Sequence, residues 1–343
     1  MISVVFGVFF IALPTILADH AIRTFGFATR TAVSLFDLDK QNKIRNEEQT
    51  FLSTAIANAY KQEPDPTLRY PFIFFHQRKA GGTSVRETLK EAGNLTKLNT
   101  YVICSVDQTC DHYSIPIRGV HAVYAGHIPW GEVYKFNRFG PEHNRDKFSC
   151  LTNFREPVSR LISCVEYRFQ SIVQEHGCLS NISTSKLIDI ITTKTDEYGV
   201  SCLNEPFRIL SGIYNENVID SLGIHLNHSS GSSDIAQLQP KFHGMESFAL
   251  QMTLHNVAKC GVMILEENRN STDFILQHRF PFLHKAGAFR HAVLNELHVF
   301  EKCPAPTAEQ IDALEKLGAF ERLLYDMVVK HHHELLKALH YLQ

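Results

Sequence analysis

The sequence predicts an α/β fold in which a parallel sheet carries helices on both of its faces. Apolar, strand-like runs near 71–75, 121–125, 148–154 and 261–265 alternate along the chain with helical patterns near 84–92, 157–170, 186–192 and 307–340. This alternation is typical of parallel sheets, because the crossover between parallel strands is usually a helix. Such sheets bind ligands at the carboxyl ends of their strands, so functional residues are expected there.

Composition indicates a globular protein with no overall attraction to polyanions. The chain has 343 residues, of which 44% are hydrophobic and 20% charged, and these are not the values of a disordered or coiled chain. The net charge is −2 and the isoelectric point about 6.8. We therefore expect no nucleic-acid partner, and any groove for an acidic glycan must come from locally clustered Lys and Arg.

A strand that ends in a basic, glycine-rich turn indicates an anion site. The strand over 72–75 leads into a loop and helix start with the residues Arg78, Lys79, Ala80, Gly81, Gly82, Thr83 and Ser84. The glycines let the backbone close on a ligand, and amides at a helix N-terminus favour phosphate or sulfate. The alternative is a glycine-rich turn with a surface lysine. In ATP and GTP loops the lysine follows the glycines, whereas Lys79 precedes them, which weakens an NTPase assignment.

A second candidate anion site follows a later strand. The run over 147–154 reads as a strand, and Arg155 and Glu156 precede Pro157, which suits the first position of a helix. Ser163 lies eight residues after Arg155, about two helical turns along. Arg155 and Ser163 can therefore share one ligand.

These two motifs resemble the cofactor sites of the membrane-associated carbohydrate sulfotransferases, particularly the heparan sulfate 6-O and 2-O type. The segment 79–84 is similar to their 5′-phosphosulfate loop, and Arg155 with Ser163 is similar to their 3′-phosphate site. The resemblance covers roughly residues 70 to 340. It implies a P-loop-like sheet of the sulfotransferase fold, with 3′-phosphoadenosine 5′-phosphosulfate (PAPS) as co-substrate and a glycan or glycosaminoglycan-like polysaccharide as acceptor.

Weaker matches and departures accompany the two motifs. Ala125-Gly126-His127 matches the Gly-His that carries the catalytic base of those enzymes, 202–212 resembles their Asn-x-x-x-Arg segment, and 261–267 resembles a strand that ends in Glu. Arg78 stands where many relatives have proline. Ala80 stands where many have threonine, so one hydroxyl near the sulfate is missing. Pro206 lies within the Asn-x-x-x-Arg segment and is expected to alter its local helix.

The resemblance implies a role for each candidate site residue. Lys79 stabilises the bridging oxygen, the amides around Gly81 to Ser84 hold the equatorial oxygens, and Arg78 belongs to the same loop. His127 takes the proton of the acceptor hydroxyl, and its alternative is a satisfied histidine at a strand end. No metal is required, because the sulfuryl group carries less charge than a phosphoryl group. We expect His76 to be structural and His331 to His333 to form an exposed helix face.

Three classes of function fit these residues. The first is a glycan O-sulfotransferase, with a tyrosyl-protein sulfotransferase as a narrower variant. The second is a kinase-like, phosphate-handling enzyme, and the third is a non-catalytic lumenal binding protein. Lys79, Arg155 and Ser163 together favour the first class over the second, and an intact Lys79 and His127 favour it over the third.

The N-terminus indicates the secretory pathway. Residues 1–18 read as a signal peptide or a short signal-anchor, since 2–17 is an uncharged and largely apolar run. Residues 19–66 read as a stem, and 67–343 as the catalytic domain. We expect a protein of the Golgi lumen, either anchored as a type II membrane protein or secreted. The sequence leaves its oligomeric state open.

Cysteines and sequons agree with a lumenal glycoprotein. The chain has eight cysteines, an even number that suits an oxidised domain. Cys104 and Cys110 form the most plausible local bridge, while Cys150 and Cys164 lie on predicted core elements and are candidates for free thiols. Asn94, Asn181, Asn227 and Asn270 each begin a glycosylation sequon. The stem segment 37–48 resembles a degenerate EF-hand loop, but an ordinary solvated helix-loop-helix explains it better.

Overall fold

The structure is a computed structural model that describes residues 42–58, 61–102, 121–132, 148–193, 201–213, 216–222, 245–267, 269–286 and 303–339. It contains two compact units, residues 1–50 and 51–343. The first unit is described only over 42–50, which is helical. The second opens with a helical stretch over 51–58 and contains the sheet, the site and every labelled element. The predicted leader, 1–18, lies outside the described residues.

The segment that resembles an EF-hand loop is helical where the structure describes it. Its second half, 42–48, is helical, and its first half lies outside the described residues. An EF-hand loop needs a glycine at its sixth position for a sharp turn, and Asn42 occupies that position. A helix from Asn42 onwards therefore replaces the second half of the loop.

A five-stranded, all-parallel sheet confirms the predicted fold class. Its strands are β1 (Phe72–Phe75), β2 (Thr100–Val102), β3 (Val123–Gly126), β4 (Ser149–Phe154) and β5 (Gly261–Ile264), in the spatial order β2-β3-β1-β4-β5. Four of these match the apolar runs of the sequence. The fifth, β2, is a half-buried edge strand of three residues, too short to give a clear pattern.

Both faces of the sheet are covered. Phe72 and Phe74 point to one face, where they join a core with Leu89 of helix α1 (Gly82–Thr96). Phe75 points to the other face and stacks on Trp130 at 4.8 Å. All four residues of β1 are fully buried, as strands of a parallel sheet are when both faces are packed.

After the helical stretch over 51–58, ten α-helices lie within the described residues of the second unit. After α1 come α2 (Pro157–Arg168), α3 (Gln170–Glu175), α4 (Thr184–Thr193), α5 (Glu205–Leu210), α6 (Glu216–Ser221), α7 (Glu246–Val257), α8 (Arg269–Arg279), α9 (Ala308–Leu317) and α10 (Ala319–Ala338). The helix predicted over 307–340 is thus two helices, which meet at Gly318. A side chain there would stand 3.1 Å from the Leu314 carbonyl oxygen and 3.4 Å from Leu161, so a larger residue at the junction would require small shifts of its neighbours.

Three disulfides connect distant parts of the second unit. They join Cys150 to Cys260, Cys164 to Cys202, and Cys178 to Cys303. The prediction that Cys150 and Cys164 are free is wrong, because each meets a partner that is far away in sequence. Cys104 and Cys110 lie outside the described residues. Disulfides persist in oxidising compartments, so the chain suits a secretory or extracellular environment.

Helix α10 differs from the expectation of an exposed histidine face. His331 and His332 are only 4% and 1% exposed, whereas the side chain of His333 is 43% exposed. The prediction is wrong for two of the three residues, because the part of α10 that carries His331 and His332 is packed inside the unit. His331 contacts Phe51 at 5.1 Å between ring centroids. Within the described ranges, no helix is long and apolar enough to cross a membrane.

Candidate anion site at the carboxyl ends of the strands

The loop between β1 and α1 is held in place by polar side chains at the end of β4. The side chain of Asn153 accepts a hydrogen bond from the Gln77 amide at 2.8 Å and donates to the Ala80 carbonyl oxygen at 2.7 Å. Thr152 donates to the Phe75 carbonyl oxygen at 3.0 Å. Sequence reasoning missed this clamp. Its one signal is a pair of polar residues, Thr152 and Asn153, inside an otherwise apolar strand.

The backbone of the loop takes a form that presents amides to a ligand. Lys79 and Gly81 both have left-handed conformations, with φ of 60° and 77°. Gly81 is the N-cap of α1 and has no side chain to pair with the first amides, and the first turn of α1 contains no acidic residue. A helix start of this kind favours an anion through its amide donors and its dipole.

Close packing explains the two glycines. A side chain on Gly81 would stand 2.7 Å from Leu265, and its left-handed φ already disfavours any other residue. A side chain on Gly82 would stand 1.8 Å from the ring of His76. Both positions therefore require glycine if the loop is to keep this shape.

Arg155 joins the two predicted anion motifs. Its guanidinium donates to the Lys79 carbonyl oxygen at 3.1 Å and lies 3.7 Å from the carboxylate of Glu266, which follows β5. Arg155 and Lys79 come from different strands, β4 and β1, which are neighbours in the sheet. The structure therefore brings together the two segments that the sequence assigned to one ligand.

Ser163 lies on α2, four residues before Tyr167. Tyr167 is one helical turn further along the same face, and its ring lies 4.0 Å from the Lys79 ammonium. Ser163 is half-buried, and Tyr167 is 49% exposed. Helical spacing therefore puts Ser163 on the same face of α2 as the residue that contacts Lys79.

Lys79 lies in an electropositive and partly desolvated position. Burial is the main cause that lowers its pKa to about 8, and the positive charge of Arg155 acts in the same direction. The carboxylate of Glu166 partly offsets both effects. A bound anion would favour the charged form of Lys79, so the position suits a group that acts on a negatively charged ligand.

Arg78 serves the loop differently from its neighbours. Its guanidinium forms a buried ion pair with Glu205 of α5 at 2.9 Å. Burial alone would raise the pKa of Glu205, but Arg78 and Arg208 lower it to about 2. Pro206 occupies the first turn of α5, where it is tolerated, so the helix forms despite it. Arg78 thus ties the loop to the Asn-x-x-x-Arg segment.

His127 follows β3 and packs against the histidine that follows β1. The rings of His127 and His76 stack at 4.1 Å between centroids, with an interplanar angle of 24°. Nδ1 of His127 lies 2.9 Å from the carbonyl oxygen of His76, which can only accept a hydrogen bond. The proton of a neutral His127 is therefore on Nδ1, which leaves Nε2 as a proton acceptor.

Both histidines are kept neutral by their surroundings. Burial is the main cause that lowers the pKa of each well below 6.5, and for His127 the nearby charges of Arg78 and Arg86 act in the same direction. His76 is buried. His127 combines a neutral ring with the tautomer that a general base needs.

Arg86 and Glu132 are two further buried charged residues. Arg86, in the first turns of α1, is 4% exposed and donates to the Thr83 hydroxyl at 3.2 Å. Burial lowers the pKa of Arg86 to about 10. Glu132 lies five residues after His127 in the sequence, is the next residue there that could act as a base, and is 7% exposed. Sequence reasoning missed Arg86, because an arginine on an amphipathic helix usually faces solvent.

No protein-family model matches the chain, and no curated protein matches it at a significant level. Among the residues that the structure describes, no group of three or more His, Cys, Asp or Glu is arranged to hold a metal ion. The chemistry of the site therefore has to be argued from its own residues.

Proposed function

We propose that the protein is a sulfotransferase, which moves a sulfuryl group from PAPS to a hydroxyl of a glycan. The observation that carries the proposal is the hydrogen bond from Arg155 to the Lys79 carbonyl oxygen, since it joins two anion-binding motifs at one edge of the sheet. PAPS carries two anionic groups, a 3′-phosphate and a 5′-phosphosulfate. A ligand of this kind uses both motifs at once, whereas ATP lacks the 3′-phosphate.

The residues divide into two groups according to the anion that they serve. The amides at the start of α1 and the Lys79 ammonium bind the 5′-phosphosulfate, with Thr83 and Ser84 as further donors. Arg155 and Ser163 bind the 3′-phosphate. Arg78 acts from behind the loop through its ion pair with Glu205. Lys79 contributes most during the reaction, because negative charge grows on the bridging oxygen as the bond to sulfur breaks.

Proton transfer from the acceptor is assigned to His127. In the proposed step the acceptor oxygen forms a bond to sulfur and gives its proton to Nε2 of His127. The bond between sulfur and the bridging oxygen breaks, and its electron pair stays on the 5′-phosphate, which leaves adenosine 3′,5′-bisphosphate. The hydrogen bond from Nδ1 to the His76 carbonyl oxygen supports this assignment, since it holds the required tautomer. The step needs no metal ion.

The compartment favours a glycan acceptor. The three disulfides indicate folding in an oxidising environment, and glycans are processed in the lumen of the secretory pathway. A Golgi location, with or without an N-terminal anchor, follows from the proposal. A tyrosine side chain is the competing acceptor. Labelled PAPS offered with desulfated polysaccharides and with acidic tyrosine peptides distinguishes the two.

Calorimetry with nucleotides tests the proposal. We expect adenosine 3′,5′-bisphosphate to bind more tightly than ATP, and adenosine 5′-monophosphate to bind weakly because it lacks the 3′-phosphate. Equal or tighter binding of ATP would contradict the assignment and favour a kinase-like function. Tight binding of the bisphosphate without sulfation of any acceptor would favour a non-catalytic binding protein.

A further inference from the structure

The side chain of His76 lies directly against the start of helix α1. His76 is 3% exposed, and its ring stacks with Phe74 at 5.5 Å and with His127 at 4.1 Å between centroids. The ring edge that carries Nε2 faces Gly82, where a side chain would stand 2.1 Å from this nitrogen. Nε2 is therefore beside the first residue of α1, where the amide donors of the helix begin.

The other ring nitrogen fixes the tautomer of His76. Nδ1 is enclosed and has no hydrogen-bond partner among the described residues. A neutral imidazole carries one N–H, and an enclosed N–H without an acceptor costs more than an enclosed lone pair. The proton of the neutral ring is therefore on Nε2, the nitrogen beside the helix start. A buried donor thus points at a position that is already favourable for an anion.

We propose that the Nε2–H group of His76 donates a hydrogen bond to an oxygen of the sulfuryl group that is bound at the N-terminus of α1. This inference rests on the proposed function and adds a side-chain donor to the amides. Ala80 contributes no side-chain donor to the loop. The ring of His76 is buried and packs against two other rings, so its donor is fixed before the ligand arrives, as an oxyanion site requires.

His76 and His127 then act as a complementary pair. His76 presents a donor to the sulfuryl oxygens, and the stacked His127 presents an acceptor to the attacking hydroxyl. His76 also determines the tautomer of His127, because the carbonyl oxygen of His76 accepts a hydrogen bond from Nδ1 of His127. Two neutral rings in contact can thus act in the same reaction, one as a hydrogen-bond donor to the sulfuryl group and the other as the base for the acceptor hydroxyl.

Two substitutions of His76 test the donor. The amide of His76→Gln can place an N–H close to the position of Nε2, whereas His76→Leu fills space without a donor. We expect His76→Leu to lower kcat by about 100-fold to 1,000-fold, the usual loss for one oxyanion donor. We expect the kcat of His76→Gln to be at least about tenfold higher than that of His76→Leu. The affinity of both variants for adenosine 3′,5′-bisphosphate should stay near that of the wild type, because this product lacks the sulfuryl group.

Nitrogen NMR of histidine-labelled wild-type protein tests the tautomers independently of activity. We expect the proton on Nε2 of His76 and on Nδ1 of His127, and a downfield shift of the His76 Nε2–H on titration with inorganic sulfate. A proton on Nδ1 of His76, or no response to sulfate, would overturn the inference. If His76→Leu proves unfolded by circular dichroism, these spectra alone decide.

The outcomes separate the inference from the proposed function. If the wild type binds adenosine 3′,5′-bisphosphate and transfers sulfate, but His76→Leu keeps full kcat, only the inference is wrong. If the wild type does not bind the bisphosphate, the proposed function is wrong. A sulfate-responsive Nε2–H would in that case still support an anion donor at His76, for a different ligand.

Discussion

The guanidinium of Arg155 donates a hydrogen bond to the carbonyl oxygen of Lys79 at 3.1 Å, across the gap between two neighbouring strands. Arg155 follows β4, and Lys79 follows β1. Parallel strands bring their carboxyl ends to one edge of a sheet, so two motifs that are 76 residues apart in sequence become one surface. The separate roles proposed for these two residues lead to different expectations when each is changed.

Arg155→Ala should mainly weaken nucleotide binding. The 3′-phosphate takes no part in bond breaking, so its loss of a charged partner affects the bound reactant and the transition state alike. We expect the affinity for adenosine 3′,5′-bisphosphate to fall by about 10-fold to 100-fold, the range for one hydrogen bond to a charged group. Arg155→Lys is the control, since it keeps the positive charge but loses the paired N–H donors of the guanidinium. Calorimetry measures the affinity of the wild type and of both variants. An unchanged affinity in Arg155→Ala would show that Arg155 does not bind the nucleotide.

Lys79→Ala should lower turnover far more than it weakens product binding. The interaction of Lys79 grows as charge develops on the leaving oxygen, so it contributes most in the transition state. Lys79→Arg is the matched control that keeps a positive charge. Equal losses in turnover and in affinity for adenosine 3′,5′-bisphosphate would contradict this role.

The same lysine predicts an alkaline limit. Its pKa of about 8 means that the free protein loses the ammonium charge as the pH rises through that value. We therefore expect kcat/KM for the donor to fall above about pH 8, because this parameter reports the ionisation of the free enzyme. A profile that stays flat to pH 10 would show that the charge of Lys79 is not needed.

Local pattern predicted the parts of the site that depend on chain direction. A strand, then a loop, then a helix start places Lys79 and Arg155 at the carboxyl ends of their strands, whatever the rest of the chain does. His127 follows its strand in the same way. These positions are set by neighbours in sequence, and pattern reasoning is strongest there.

Partners that are distant in sequence could not be predicted. Asn153 clamps the loop from 73 residues away, and Arg78 pairs with Glu205 across 127 residues. Cys150 meets Cys260 across 110 residues. Each of these contacts depends on which strands and helices become neighbours in space, and the local pattern of apolar residues does not predict this. The burial of His331 and His332 belongs to the same class, because it depends on what packs against α10.

The ion pair between Arg78 and Glu205 predicts a stability effect. Both side chains are nearly fully buried, so removing one partner leaves an uncompensated charge in the interior. We expect Glu205→Gln or Arg78→Met to lower the free energy of unfolding by about 3–5 kcal/mol, and the double variant to lose less than the sum. Denaturant unfolding measures this. If Arg78→Met instead has normal stability and binds adenosine 3′,5′-bisphosphate poorly, Arg78 contacts the cofactor directly.

His331 and His332 predict acid sensitivity. Burial is the main cause that lowers the pKa of each to about 4, so the folded state holds them neutral. Between about pH 6.5 and pH 4 the unfolded chain binds more protons than the folded chain, so stability falls as the pH falls. Each histidine contributes a slope of about 1.4 kcal/mol per pH unit within this window. We expect His331→Phe to reduce the slope, and the half-exposed His333→Gln to serve as the control. Unfolding curves measured from pH 7 to pH 4 test this, and an unchanged slope in His331→Phe would contradict it.

His127→Ala should lose roughly two to four orders of magnitude in turnover and retain nucleotide affinity, since the residues proposed to bind the nucleotide lie in the other two motifs. Burial lowers the pKa of His127 well below 6.5, so the ring is already neutral at physiological pH. Turnover should therefore stay level through neutrality and fall only in acid, as the ring gains a proton. Glu132→Gln is the control, because Glu132 is the other candidate base in the same segment. If His127→Ala keeps most of its turnover while Glu132→Gln loses it, the base is Glu132. If His127→Ala is unfolded, His127 is a structural residue at the end of β3.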